Sequence, residues 1–224
     1  MDTPSPGSMR ARPLRAALLL AAAATVTVGV VAIVHDVAGP RIEANEREQR
    51  IARLAEVLGG TKYDNDLVDD VVLVRNPELL GTDEPLPVHR ARLAGQPVAA
   101  LITAVAPDGY SASIRLLVAV AADGRLIGVR VLSHKETPGL GDGIDRRKSS
   151  WIESFSGRAI GDPPLERWKV RKDGGDFDQF TGATVTPRAV VGAVRNALLY
   201  FDAHRAELLA APAAAPASSG DADR

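Results

Sequence analysis

Between Val71 and Ser133 the chain alternates short apolar runs with turns that, after the first loop, are too brief for a crossover, and this restricts its fold more than any other feature. Val71–Arg75, His89–Leu93, Val98–Val105, Ser113–Ala121 and Arg125–Ser133 read as strands. Ala94-Gly95-Gln96-Pro97, Ala106-Pro107-Asp108-Gly109 and Ala122-Asp123-Gly124 separate the later ones, and a loop with Pro77, Pro85 and Pro87 follows the first. Neighbours joined so tightly pair antiparallel, because parallel neighbours need a crossover of about a dozen residues. The runs SIRLLVAVA and LIGVRVL are apolar enough to be central strands.

The N-terminal third has a different period. Arg10, Arg12 and Arg15 precede a charge-free run, Ala16–Val34, and at ~1.5 Å per residue this gives about 28 Å of helix, close to a hydrocarbon core of ~30 Å. A transmembrane helix is expected over 16–36, with residues 1–15 cytoplasmic by the positive-inside rule and the rest outside. The competing reading is a cleaved signal peptide, for which the run is long and lacks a following A-x-A site. A second, charged helix is expected over 40–60, with Ile51, Leu54, Ala55 and Leu58 on one stripe and Gly59-Gly60 as its stop.

Beyond Ser133 a loop, Ser133–Asp142, is dense in turn residues, with Gly139 and Gly141 expected at positive φ. Arg146–Phe155 reads as a helix with Trp151, Ile152 and Phe155 on one side, and Trp168–Lys172 as a further strand ending at Asp173-Gly174-Gly175. The last helix starts at Pro187, carries a core stripe of Val190, Val191, Val194, Ala197, Leu198 and Phe201, and frays beyond Ala206. Residues 209–224 form an Ala/Pro/Ser-rich tail expected to be disordered. The fold class is therefore α+β: an N-terminal transmembrane helix, then a domain over 61–208 with a mainly antiparallel sheet flanked by helices. A net charge of −1 argues against nucleic acid, and the absence of cysteine removes disulfides, iron–sulfur ligation, thiolate zinc sites and cysteinyl cofactor links. The four histidines are scattered, with no metal-like i, i+4 pair.

The most informative stretch is Asp178-Gln179-Phe180-Thr181-Gly182-Ala183-Thr184-Val185-Thr186-Pro187. Thr186 suits an N-cap and Pro187 the first helical position, which sets Thr184 just outside the first turn. Free N–H groups and the helix dipole there favour an anion by ~0.3–1 kcal/mol, and Gly182 and Ala183 let a bulky group approach the backbone. The bland alternative is a capped helix start with a polar lead-in.

The pattern Asp-x-x-Thr-Gly-Ala-Thr resembles the flavinylation motif of bacterial membrane redox subunits, in which FMN is joined through its phosphate to a threonine hydroxyl. The apolar run, Glu136-Thr137-Pro138-Gly139-Leu140-Gly141, and the block Trp168–Thr184 occur in the order and spacing of the G subunit of the Rnf (Rsx) electron-transport complex. The resemblance runs from the membrane helix to about Leu208. The same domain occurs in the C subunit of the sodium-pumping NADH:quinone reductase, but Lys-Asp-Gly-Gly-Asp-Phe-Asp favours the Rnf subunit. The resemblance implies one covalent FMN on Thr184, carried outside the cytoplasm on a single-span subunit of the bacterial inner membrane. It also implies partner subunits in an ion pump coupled to ferredoxin or NADH redox chemistry, and a flavin transferase that moves FMN from FAD.

On this reading Asp178, Thr181, Gly182, Ala183 and Thr184 form one half of the cofactor site, and Glu136, Thr137, Pro138, Gly139, Leu140 and Gly141 the other. Thr181 and Thr186 are the neighbours from which Thr184 must be distinguished, and Asp178 would orient or activate it. Arg188, Lys172 and Lys135 are possible phosphate partners or ordinary surface cations, and Trp151 a stacking residue or core. No catalytic residue or metal is expected, only an electron relay. Two other classes stay open: a membrane-anchored ligand-binding or sensory domain with a reversible anion site, and a structural assembly subunit.

Overall fold

The computed structural model describes residues 8–210, with side chains described at 17, 19–32 and 44–210. The chain divides into two units, Met1–Gln49 and Arg50–Arg224. Helix α1, Ser8–Val57, makes up the first unit and contributes its last two turns to the second. Where a membrane helix and a separate charged helix were expected, the backbone is one helix that passes through Pro40. It ends where predicted, with Gly59 and Gly60 both at positive φ. Among the described residues no helix is long and apolar enough to cross a membrane. The expected span lies partly outside the described side chains, and the expected tail falls on 211–224, outside the described residues.

The second unit is built on a five-stranded sheet in sequence order: β1 (Val71–Val74), β2 (Leu86–Leu93), β3 (Gln96–Ala106), β4 (Ile114–Ala121) and β5 (Leu126–Ser133). Every pairing is antiparallel; the short turns require this from β2 to β5, whereas β1 and β2 are joined by the longer segment 75–85. A one-turn helix, α2 (Pro77–Leu80), was not anticipated; Asn76 caps it by accepting from the Leu79 N–H at 3.0 Å.

The middle strands are apolar on both faces because both are covered. Val88, Ile102, Leu116 and Val118 face α3 (Val185–Leu208), whose Val190, Val194, Ala197, Leu198 and Phe201 are the expected stripe, all buried. Ala91, Ala99, Leu101, Leu117 and Ala119 face the other way, onto Leu54, Val57 and Leu58 at the end of α1. Each large aliphatic side chain so buried contributes ~1.5–3 kcal/mol, which fixes the register of the sheet and the seat of α3 upon it.

Two elements differ from expectation. Arg146–Phe155 is not an α-helix but a turn followed by a 3-10 segment, Trp151–Phe155. The Asp145 carboxylate accepts from the Arg147 N–H at 2.9 Å, and the Ser149 hydroxyl donates to the Gly143 carbonyl at 2.6 Å. Such local bonds compete with the helical ladder. Trp168–Lys172 makes no strand either; a single bridge joins Val170 to Phe177. The chain folds back so closely that a Cβ on Gly175 would lie 1.9 Å from the Lys169 carbonyl oxygen. Trp168, Phe155 and Phe177 are buried beneath it, with ring centroids 4.7–6.5 Å apart.

Candidate functional site

Two loops lead to the N-terminus of α3. The first runs from the end of β5 through Glu136–Gly141; the second is Asp178–Ala183. Phe180 to Ala183 forms a tight turn, with the Ala183 N–H donating to the Phe180 carbonyl at 3.1 Å. Gly182 sits at its third position with φ 80°, a conformation open to glycine and costly for other residues. The turn delivers the chain into α3 at Val185, so Thr184 is the N-cap residue rather than Thr186. Thr184 is helical in backbone and its hydroxyl makes no capping bond. The Thr184 carbonyl already accepts from the Arg188 N–H at 3.2 Å.

Thr186, expected as the cap, is buried and uses its hydroxyl elsewhere. It donates to Glu136 Oε2 across the two loops. The other carboxylate oxygen, Oε1, accepts from the Ser111 N–H at 3.0 Å. A buried carboxylate is tolerable only when its oxygens are met in this way. Gly141 was expected at positive φ but has φ −87°. Its need for glycine is steric: a Cβ there would stand 2.8 Å from both Glu136 Oε2 and Thr186 Oγ1. Gly139 does take the left-handed conformation, with φ 78°. Phe180 joins the loops from the other side, lying where a Cβ on Gly143 would be 2.9 Å from its ring.

Together these contacts frame a cleft of roughly 190 Å³ beside the helix start. Of the residues singled out from the sequence, Glu136, Thr137, Leu140, Gly141, Gly182, Ala183 and Thr184 line it. Thr181, Pro138 and Gly139 belong to the same two loops but do not line it. Asp178 also stands apart: its carboxylate pairs with Arg171 at 2.9 Å, and its carbonyl accepts from the Trp151 indole at 2.8 Å. Trp151 is thereby core, packed edge-on against Phe155 and Phe180. Arg188 is taken up by Asp173 at 2.6 Å, and that guanidinium holds the Asp173 carboxyl below the usual carboxylate range. Lys172 and Lys135 line no part of the cleft. Sequence reasoning missed Tyr110, which lines the cleft while 72 % exposed; it arrives there because Ser111 is tied to Glu136, a long-range contact with no local signature.

A family model described as an FMN-binding domain matches residues 109–199, and one described as the RnfG N-terminal region matches residues 9–57. The G subunit of the ion-translocating oxidoreductase complex of Pseudomonas aeruginosa (strain UCBPP-PA14) is 55% identical over 202 residues, which are 90% of this chain and 94% of that protein. The chain belongs to the family of G subunits of ion-translocating oxidoreductase complexes. The corresponding G subunit of Vibrio atlanticus (strain LGP32) is 48% identical over 87% of this chain and 93% of its own length. The crystal structure of Shewanella oneidensis NqrC aligns with a TM-score of 0.46 and 20% identity, over 68% of this chain and 80% of that one.

Within this G subunit the cleft lies entirely inside the FMN-binding domain. Its chemistry fits the phosphate end of a flavin nucleotide. Thr184 offers an uncommitted hydroxyl at the positive end of a 24-residue helix. The N–H groups of Val185 and Thr186 precede the first helical hydrogen bond and have no acceptor among the described residues. Pockets that enclose a drug-sized ligand start at about 300 Å³, so a cleft of roughly 190 Å³ has room for a phosphate group but not for a whole flavin nucleotide.

Proposed function

We propose that this chain carries FMN covalently, as a phosphodiester on Thr184, and relays electrons in a membrane complex that couples ferredoxin or NADH oxidation–reduction to ion translocation. The observation that carries the reading is the position of Thr184: an uncapped hydroxyl at a helix start, lining a cleft within an FMN-binding domain. Attachment forms a bond from Thr184 Oγ to the FMN phosphorus of FAD and breaks its pyrophosphate, with AMP as the leaving group. The threonine proton passes to a base of a separate flavin transferase; Asp178, the carboxylate expected to activate Thr184, is paired with Arg171 and does not line the cleft.

Bound there, FMN supplies one- and two-electron redox chemistry. The chain's own residues hold and orient it. The amides of Val185 and Thr186 and the α3 dipole meet the phosphate charge. Leu140, set on the rim by the Glu136–Gly141 loop, and Tyr110 offer apolar surface to the ring. A tether keeps the flavin at an effective concentration on the order of mM without tight enclosure, and so leaves the ring edge open to donors and acceptors.

The same reading places α1 in the bacterial inner membrane with the FMN-binding domain outside the cytoplasm. Residues 16–34 carry no charge, and Leu19, Leu20, Val26, Val28, Val30 and Val31 are exposed on the helix, an all-round apolar surface that suits lipid. Thr25 and Thr27 satisfy their hydroxyls by donating to the Ala21 and Ala23 carbonyls at 2.9 Å, as a bilayer demands.

Protein from a host that contains the transferase is tested on a denaturing gel under ultraviolet light. A fluorescent band is the expected result. Colour in the native protein that is lost on denaturation would indicate a reversible anion site in a sensory domain instead.

A further inference from the structure

The sheet face that receives the end of α1 is only half covered. Leu54, Val57 and Leu58 seal Ala91, Ala99, Leu101 and Ala119, and the part of α1 that belongs to this unit begins only at Arg50. Beyond that seal the face continues as an open trough of about 510 Å³. Its lining includes Val71 and Leu73 from the edge strand β1 and Leu132 from β5, and it borders the seal at Leu54 and the buried Leu117 of β4. Leu73 is 67 % exposed, Leu132 40 % and Val71 38 %, although each belongs to a strand whose opposite face is core. Arg53 and Arg115 stand on the rim. Arg115 reaches Glu84 only at 3.4 Å, and Arg53 has no acceptor among the described residues.

We propose that this trough docks an apolar polypeptide segment bearing carboxylates, from another subunit of the oxidoreductase complex. The proposal rests on the reading of the chain as a subunit of that complex. The arginine rim, in a chain whose net charge is −1, selects an acidic partner over a neutral or basic one. Concavity selects a polypeptide over a bilayer: a membrane surface is bound by protruding apolar side chains, whereas a trough is filled by a ridge. The exposed edge of β1, four residues long, lies along the same trough and would be shielded by the occupant.

The test uses the whole complex in native membranes. Benzoylphenylalanine in place of Leu73 is irradiated, and an adduct to a segment of another subunit with carboxylates beside its apolar residues is expected. In the same membranes Arg53→Glu should cause loss of most of the subunit from the solubilised complex, and a carboxylate-to-lysine change in the cross-linked segment should restore it. An adduct to lipid, to a second copy or to residues 211–224 of the same chain, or no adduct, would overturn the proposal. Flavin fluorescence of the subunit's gel band is read in parallel: its retention in Arg53→Glu separates a docking failure from a failure of the flavin assignment.

Discussion

Thr184 and Thr186 lie two residues apart at one helix start and serve opposite ends. The first is half-buried with an unused hydroxyl, the second fully buried with its hydroxyl given to Glu136. Thr184→Val should therefore abolish the fluorescent gel band while shifting stability by no more than ~0.5 kcal/mol in a denaturant titration. Thr186→Val removes a donor from a buried carboxylate and should lower stability by ~1–3 kcal/mol in the same titration. Gly141→Ala pushes a methyl against both members of that pair; its melting temperature and flavin loading should fall together, and unchanged values would refute the steric role. The motif singled out Thr184 because its chemistry is written locally. It misassigned Thr186 because a capping threonine and a threonine bonded to a distant buried carboxylate look alike in sequence, and only the fold brings Glu136 across.

At the scale of elements, the strands and α3 were legible because turn length and apolar period act within a few residues. Residues 142–155 and 165–175 were not. Their shape is set by side chains bonding their own backbone, at Asp145 and Ser149, and by an aromatic cluster assembled from distant positions. Another such assembly ties the sheet to the far end of α3: Asp70 accepts from Arg90 Nε and Arg92 Nε, each at 2.6 Å, and both guanidinium groups donate to the Ala210 carbonyl. All three side chains are at most 10% exposed. Asp70→Asn leaves two buried guanidinium groups without their counter-charge, and a loss of ~3–5 kcal/mol in unfolding free energy is expected. Sequence alone offered no pairing for these residues, which come from three separate segments.

Across the whole molecule, partial burial in the wall of the trough holds the His89 pKa below its ordinary 6.5, against the opposing bond from His89 Nδ1 to the Leu67 carbonyl. The neutral ring is favoured in the folded state, so its contribution to stability is complete above pH 6.5 and is lost as pH falls from there through the lowered folded value. Unfolding titrations from about pH 7.5 down to about pH 5 should show that loss, and His89→Gln should flatten it; an unchanged slope would remove His89 as the cause. One bond, between Thr184 and the flavin phosphate, underlies the proposed function. Mass spectrometry of the tryptic peptide Asp173–Arg188 from the native complex tests it most directly. The predicted result is a peptide heavier by FMN less one water, with fragmentation placing the addition on Thr184; the unmodified mass, or an adduct on Thr181 or Thr186, would contradict it.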